Sequence, residues 1–243
     1  MFPLFCLAMA SLTPNDQAGA YVLPPQQVLG FMVPHFSNFQ TLVVEHTVER
    51  QMEEEIRVFE EVLTMKGPDF IHAASSEWVP NRNQGIDRSF RKLFFANSRE
   101  RLMSFLWGAG VNPDRVSYTR VDGAVAYLIG ERGAYKGQLA VEKARFLPLA
   151  FHYPSGPAYA PEFIRVTFRD YRKFDQGWHP FEILCISSAG WEERYRVRSI
   201  EVNVPVDPSL LRFSQEEPSP AESPHKDERI DAIIKFLEQK YGR

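Results

Sequence analysis

The stretch Tyr195–Phe213, "YRVRSIEVNVPVDPSLLRF", decides how the sheet of this chain is read. It begins as a strand, with Tyr195 and Val197 apolar and Arg194, Arg196 and Arg198 cationic in between. The phase then slips, because Ile200, Val202 and Val204 carry the apolar side chains at even positions. Side chains alternate faces along a strand, so keeping one apolar face across a parity change takes one inserted residue. The slip predicts a β-bulge near Arg198–Ser199, a device that bends a sheet sharply. Pro205-Val206-Asp207-Pro208 then stops the strand, since proline brings no N–H to a ladder.

Other strands are expected upstream. "TLVVEHTVER" sets Leu42, Val44, His46 and Val48 against Val43, Glu45, Thr47 and Glu49, the alternation of a half-buried strand. "IRVFEEVLTM" (Ile56–Met65) is apolar on both parities in places, which predicts a strand covered on both faces. The acidic run Glu53-Glu54-Glu55 reads as an exposed turn between them, and "KGPDF" ends the second before "IHAASS" opens a third. Residues 116–129 read as a hairpin with Asp122-Gly123 as its tight turn. "GQLAVEKARFLPLAFHY", "EFIRVTFRDYR" and "HPFEILCISS" follow as strands, with Ala189-Gly190 suited to the turn before the opening stretch. Many short strands with few helices imply an antiparallel sheet.

Two helical segments interrupt the β pattern. "LPPQQVLGFMVPHFSNF" places Pro24 and Pro25 at a helix start, where missing N–H groups do no harm. Val28, Phe31 and Met32 recur at helical spacing with Phe36 and Phe39 beyond, and Pro34 ends or kinks the regular part. The second segment runs from Phe90 to Gly108. Within it Ser98 caps a second helix, with Leu102, Phe105 and Leu106 as its apolar residues and Gly108 and Gly110 as its stop.

At the N-terminus an apolar run from Phe2 to Leu12 precedes Ala18-Gly19-Ala20, the small-x-small pattern of a secretory cleavage site. Residues 1–20 are expected to be a signal peptide and Tyr21 the mature start, although no Lys or Arg precedes the run. A buried N-terminal strand or helix is the alternative. Phe5 stands where a small residue would precede a lipidated cysteine, which argues against Cys6 as an anchor. Cleavage leaves Cys185 alone, so no intramolecular disulfide forms. Cys185 shares its parity with Phe181 and Ile183 and reads as a small buried hydrophobe. After Phe213 come a Pro/Ser/Glu linker, residues 214–226, and a C-terminal amphipathic helix, residues 227–243.

The 243 residues, 44% hydrophobic and 24% charged, have an ordinary globular composition. A net charge of -3 argues against general affinity for nucleic acid or anionic membrane surfaces. No G-x-S-x-G, H-E-x-x-H or Cys-His grouping is present, and no histidine pair has metal-site spacing. "GERGAYKGQ" (Gly130–Gln138) lacks the P-loop pattern and reads as a polar loop, while "RDYRKFD" reads as a solvated strand face. Carboxylates are abundant, but nothing singles out a catalytic pair. A well-filled core and a cavity between sheet and helices fit the apolar pattern equally, because periodicity does not distinguish them.

Three segments together resemble the LolA-like family of periplasmic outer-membrane lipoprotein carriers. The first is the aromatic helix followed by "TLVVEHTVERQ". The second is "EEVLTMKGPDFI", similar to a family strand-turn built on Lys-x-Pro-(Asn/Asp). The third runs from "QLAVEKARFLPLAFHY" through "FIRVTFRDYRKFDQGWHPFEI" to "YRVRSIEVNVPVDPSL". The resemblance spans about residues 21–213. It implies an α+β, mainly β fold: a strongly curved, unclosed antiparallel barrel with lid helices over a hydrophobic cavity. It also implies a non-enzymatic, cofactor-free carrier. Such a protein takes lipid or lipoprotein acyl chains from an inner-membrane donor and passes them to an outer-membrane acceptor.

By parity, the cavity residues are expected to be Phe31, Phe36, Leu102, Phe105 and Leu106 from the helices. The sheet would add Leu63, Met65, Ile164, Val166, Phe168 and Ile183. On this reading the bulge helps to curve a half-barrel. One departure is the turn Lys66-Gly67-Pro68-Asp69, where Gly67 replaces the arginine that latches the lid in the well-known carriers. The Phe90–Gly108 insert and the C-terminal extension are two more. Two rivals follow from other classes. One is a LolA-like lipid sensor acting on a membrane signalling partner, and the other is an envelope hydrolase with acids clustered in the cavity.

Overall fold

Arg198 is the inserted residue of a bulge. Glu45 pairs with Ser199 and His46 with Val197, so Arg198 faces no partner across the ladder. The two strands concerned are β1 (Thr41–Met52) and β10 (Trp191–Val202). The insertion lets Tyr195 and Val197 share a face with Ile200 and Val202, as the parity slip requires.

The computed structural model describes residues 22–52, 54–67, 70–75, 87–156, 161–207 and 210. The expected signal peptide, Cys6, the linker and the C-terminal helix lie outside these residues, as do Pro68 and Asp69 of the turn. The remaining strands are β2 (Glu55–Lys66), β3 (Phe70–Ser75), β4 (Val116–Val121), β5 (Ala124–Gly130) and β6 (Gln138–Glu142). They continue with β7 (Pro148–Ser155), β8 (Glu162–Phe174) and β9 (Gly177–Ser187). All ten form one antiparallel sheet in the order β3-β2-β1-β10-β9-β8-β7-β6-β5-β4. β3 and β4 lie at opposite ends and do not pair, so the barrel is unclosed.

Local chemistry places the turns. Asp122 and Gly123 have φ of 48° and 84°, the left-handed pair that a two-residue hairpin needs. Gly190 (φ 91°) closes the β9–β10 turn with its N–H on the Ser187 carbonyl at 3.1 Å. β10 is followed by Asn203, whose side chain accepts from the Gln40 N–H at 2.8 Å and donates to the Asn38 carbonyl at 3.0 Å. That residue ties the last strand to the entry of the first.

One face of the sheet is covered by helices. α1 (Pro25–Met32) starts on Pro25, and Pro34 lies in the 3₁₀ turn Val33–His35 that ends it. A 3₁₀ helix, Ser89–Phe95, leads into α2 (Arg99–Gly108), whose Ser98 cap accepts from the Arg101 N–H at 3.2 Å. Leu29 and Met32 of α1, Phe90 and Phe94 of the 3₁₀ helix, and Leu102 and Leu106 of α2 are buried. They join Val44, Leu63, Tyr127, Leu139, Phe151, Phe168 and Ile183 in one continuous core. The inner face of the open sheet and its helical cover therefore enclose a single interior. No helix among the described residues is long and apolar enough to cross a membrane.

Two expectations need correction. The outer side of β2 is open, with Ile56 60% and Val58 64% exposed. The described helices pack on the other face of β2, so Ile56 and Val58 remain in solvent. Phe31 is 51% exposed and meets the Phe146 ring in a tilted contact, centroids 4.8 Å apart. At about 100° per residue it sits on the flank of the stripe formed by Val28, Leu29 and Met32.

Candidate functional site

The remaining residues expected to line the interior all reach it. Phe36, Leu63, Met65, Leu102, Leu106, Ile164, Val166, Phe168 and Ile183 are buried in the shared core. Phe105 is partly buried against it, 5.8 Å from the Phe151 ring. Aromatic rings knit cover to sheet: Phe94 meets Phe36 at 5.3 Å and Phe168 at 5.5 Å. Apolar parity carries these positions inward.

The interior also holds a polar cluster. His46 on β1 and Glu61 on β2 occupy a directly paired position, with Nε2 and Oε1 2.9 Å apart. Arg88, at the start of the 3₁₀ helix, ion-pairs with Glu61. On β10, Glu193 accepts from Arg50 Nε at 2.6 Å and from the Tyr195 hydroxyl. Arg91 lies with its guanidinium carbon 4.8 Å from the Tyr195 ring centroid and 5.0 Å from that of Phe90. Tyr153 of β7 donates to the Asp87 carbonyl at 3.2 Å and so pins the entry of the same 3₁₀ helix.

Burial sets the protonation states here. Desolvation holds His46 below its ordinary range, although the hydrogen bond with Glu61 opposes it. Burial raises the Glu61 carboxyl, but the His46 hydrogen bond and the charges of Arg88 and Arg91 outweigh it, leaving a net lowering. A neutral His46 therefore donates through Nε2 to an ionised Glu61. His179 is pushed down to about 3, first by desolvation and then by Arg91. Its Nδ1 lies 2.7 Å from the Pro180 carbonyl, so that nitrogen carries the hydrogen. Burial and then Glu193 raise the Cys185 thiol, which stays protonated as a small core side chain.

These polar residues escaped the search for motifs. Their signal was parity: His46 shares the inward face with Leu42, Val44 and Val48, and Glu61 shares it with Phe59 and Leu63. A polar residue on an apolar stripe marks a buried interaction. Among the described residues no group of three or more His, Cys, Asp or Glu is placed to hold a metal ion.

A second concavity lies on the outer face, a groove of about 490 Å³. Arg120, Arg132 and Arg165 line it together with His152, over a floor that includes Ala140 and Ala150.

The open sheet with its helical cover has a counterpart among solved structures. A LolA superfamily protein from Nitrosomonas europaea superposes with a TM-score of 0.52 at 10% identity, over 76% of this chain and 96% of that one. The chain has a LolA-like fold. At that identity the likeness concerns the fold. An outer membrane lipoprotein-sorting protein domain from Vibrio parahaemolyticus matches with a TM-score of 0.45 at 9% identity, over 78% of this chain and 98% of its own. A DUF1329 family protein from Desulfovibrio piger matches with a TM-score of 0.45 at 11% identity, over 79% and 98%. No family model and no curated protein matches the chain.

The polar links between sheet and cover come from the covering segment. The turn after β2 carries Gly67 at φ 58°, with its N–H on the Gln40 carbonyl at 3.0 Å. Arg88 and Arg91 of the covering segment reach down to Glu61 and Tyr195 of the sheet.

Proposed function

We propose that the protein is a non-enzymatic periplasmic carrier that binds the acyl chains of lipoproteins, or of another lipid, for transport towards the outer membrane. An inner-membrane donor would load it and an outer-membrane acceptor would unload it, with transient contact at membrane surfaces. The observation that carries this reading is the apolar contact between the concave face and its helical cover. Phe36, Phe94, Leu102 and Leu106 of the cover join Leu63, Val166, Phe168 and Ile183 of the sheet in one core. Helices held on by side-chain packing can part from a sheet and exchange those contacts for an acyl chain. Each buried CH₂ then contributes about 0.8 kcal/mol. The expected lining is the set of core residues named above, without Phe31.

The test is to purify the protein from a bacterial envelope, extract it with organic solvent and identify any released lipid by mass spectrometry. Stoichiometric lipid is the expected result. A lipid-free protein that also fails to take up an acyl probe would overturn the proposal.

A further inference from the structure

Beneath the 3₁₀ helix, three guanidinium groups meet two buried carboxylates, and their pairing leaves one cation over. Glu61 holds Arg88, and Glu193 holds Arg50 at 2.6 Å. Arg91 is 1% exposed and has no carboxylate within ion-pairing distance among the described residues. Asp87, on the same segment, commits its oxygens to the Ser89 N–H at 2.7 Å and the Ser89 hydroxyl at 3.1 Å. The rings of Phe90 and Tyr195 offset part of the cost of burying the Arg91 charge but accept no conventional hydrogen bond from it.

The unused atoms have a particular geometry. Nε and Nη2 of Arg91 are both buried without a hydrogen-bond partner. They share one edge of the planar guanidinium, an edge that grips a carboxylate through two parallel N–H···O bonds. Two histidine nitrogens close by are also unused. His46, 5.2 Å from the Tyr195 ring, leaves Nδ1 free, and His179, 5.2 Å from the Phe94 ring, leaves Nε2 free. In each ring the other nitrogen is engaged, with Glu61 and with the Pro180 carbonyl respectively. The interior thus offers a doubled donor edge, with acceptors for the O–H of an acid that enters in its neutral form.

We propose that Arg91 receives the carboxylate of a free fatty acid whose hydrocarbon tail lies between the concave face and the covering helices. The proposal rests on the carrier reading and narrows its ligand to a lipid with an ionisable head directed inward. An ester- or amide-linked acyl chain brings no charge to match the guanidinium. The fatty acid completes the pairing that the protein leaves open.

The test titrates the full chain with the fluorescent cis-parinaric acid and with its methyl ester, in the wild type and in Arg91→Met, and records the unfolding midpoint of each protein. The wild type is expected to bind the acid about ten- to hundredfold more tightly than the ester, the range of a charged hydrogen-bonded pair. Arg91→Met is expected to abolish that preference, leave ester binding in place and raise the unfolding midpoint, because an apolar side chain replaces an unmatched buried charge. Equal binding of acid and ester by the wild type would overturn the proposal and leave water as the partner of Arg91, while the carrier reading stands. A lowered midpoint with an unchanged preference would make Arg91 purely structural and also overturn it. If neither probe binds, the carrier reading falls as well.

Discussion

His46 and Glu61 stand directly opposite each other across β1 and β2, 2.9 Å apart and closed off from solvent. Through Arg88 the pair continues into the 3₁₀ helix and links sheet to cover. Glu61→Gln breaks this link and leaves a guanidinium without its counter-ion. The expected loss is about 3–5 kcal/mol by denaturant unfolding. Replacing the whole triad, as His46→Leu, Glu61→Leu and Arg88→Met together, is expected to recover most of it. A loss below about 0.5 kcal/mol in Glu61→Gln, the range of ordinary surface substitutions, would show that the link carries no load.

Stability is expected to fall on mild acidification. His179 titrates near 6.5 when unfolded and at about 3 when folded. Between those values the unfolded chain binds a proton that the folded chain does not, so acid favours unfolding. The contribution is about 1.4 kcal/mol per pH unit across that window. His46 acts in the same direction, and the lowered carboxyl of Glu61 adds to the loss at the acid end. Urea midpoints measured from pH 7 to pH 4 check this. His179→Phe is expected to flatten the profile, and a flat wild-type profile would contradict the assignment.

Deleting Arg198 is expected to abolish cooperative folding. Without the inserted residue, the alternation would send either Ile200 and Val202 or Tyr195 and Val197 to the outer face. Arg198→Ala keeps the bulge and removes only an exposed ion pair with Glu60, 2.8 Å long, so its stability is expected to match the wild type. Circular dichroism melts of the two variants separate register from side chain.

Gly177→Ala is expected to loosen the first helix without unfolding the sheet. A Cβ at Gly177 would lie 2.2 Å from the His35 carbonyl oxygen and 3.0 Å from the Phe39 ring. Relief requires the segment after α1 to lift from β9, at a cost of about 1–3 kcal/mol. Faster proteolysis or amide exchange near Val33–Phe39, with slow exchange retained in β8 and β9, is the expected pattern.

Much of the fold was legible because its signals are local. Asp122-Gly123 announces a hairpin by the conformations it tolerates, and Ser98 announces a helix start by its cap. Pro34 ends α1 for want of an N–H. Phe31 was misplaced because helical spacing defines a stripe but not its edges. Ile56 and Val58 were misread because a strand sequence does not reveal what covers each of its faces. The interior polar cluster went unread for another reason. Arg91 and Tyr195 lie more than a hundred residues apart, and no spacing rule relates them.

By itself the sequence determined the strands, their alternation, the turns between them and the bulge at Arg198, since each follows from a few neighbouring residues. Only the tertiary structure decided that both helical segments cover one face, and that Glu61 and Glu193 match the partly buried Arg88 and Arg50 and leave the buried Arg91 over among the described residues. The physical reason is range. Backbone preference and side-chain parity act within a few residues, whereas the charge balance of a buried interior depends on which distant segments meet there.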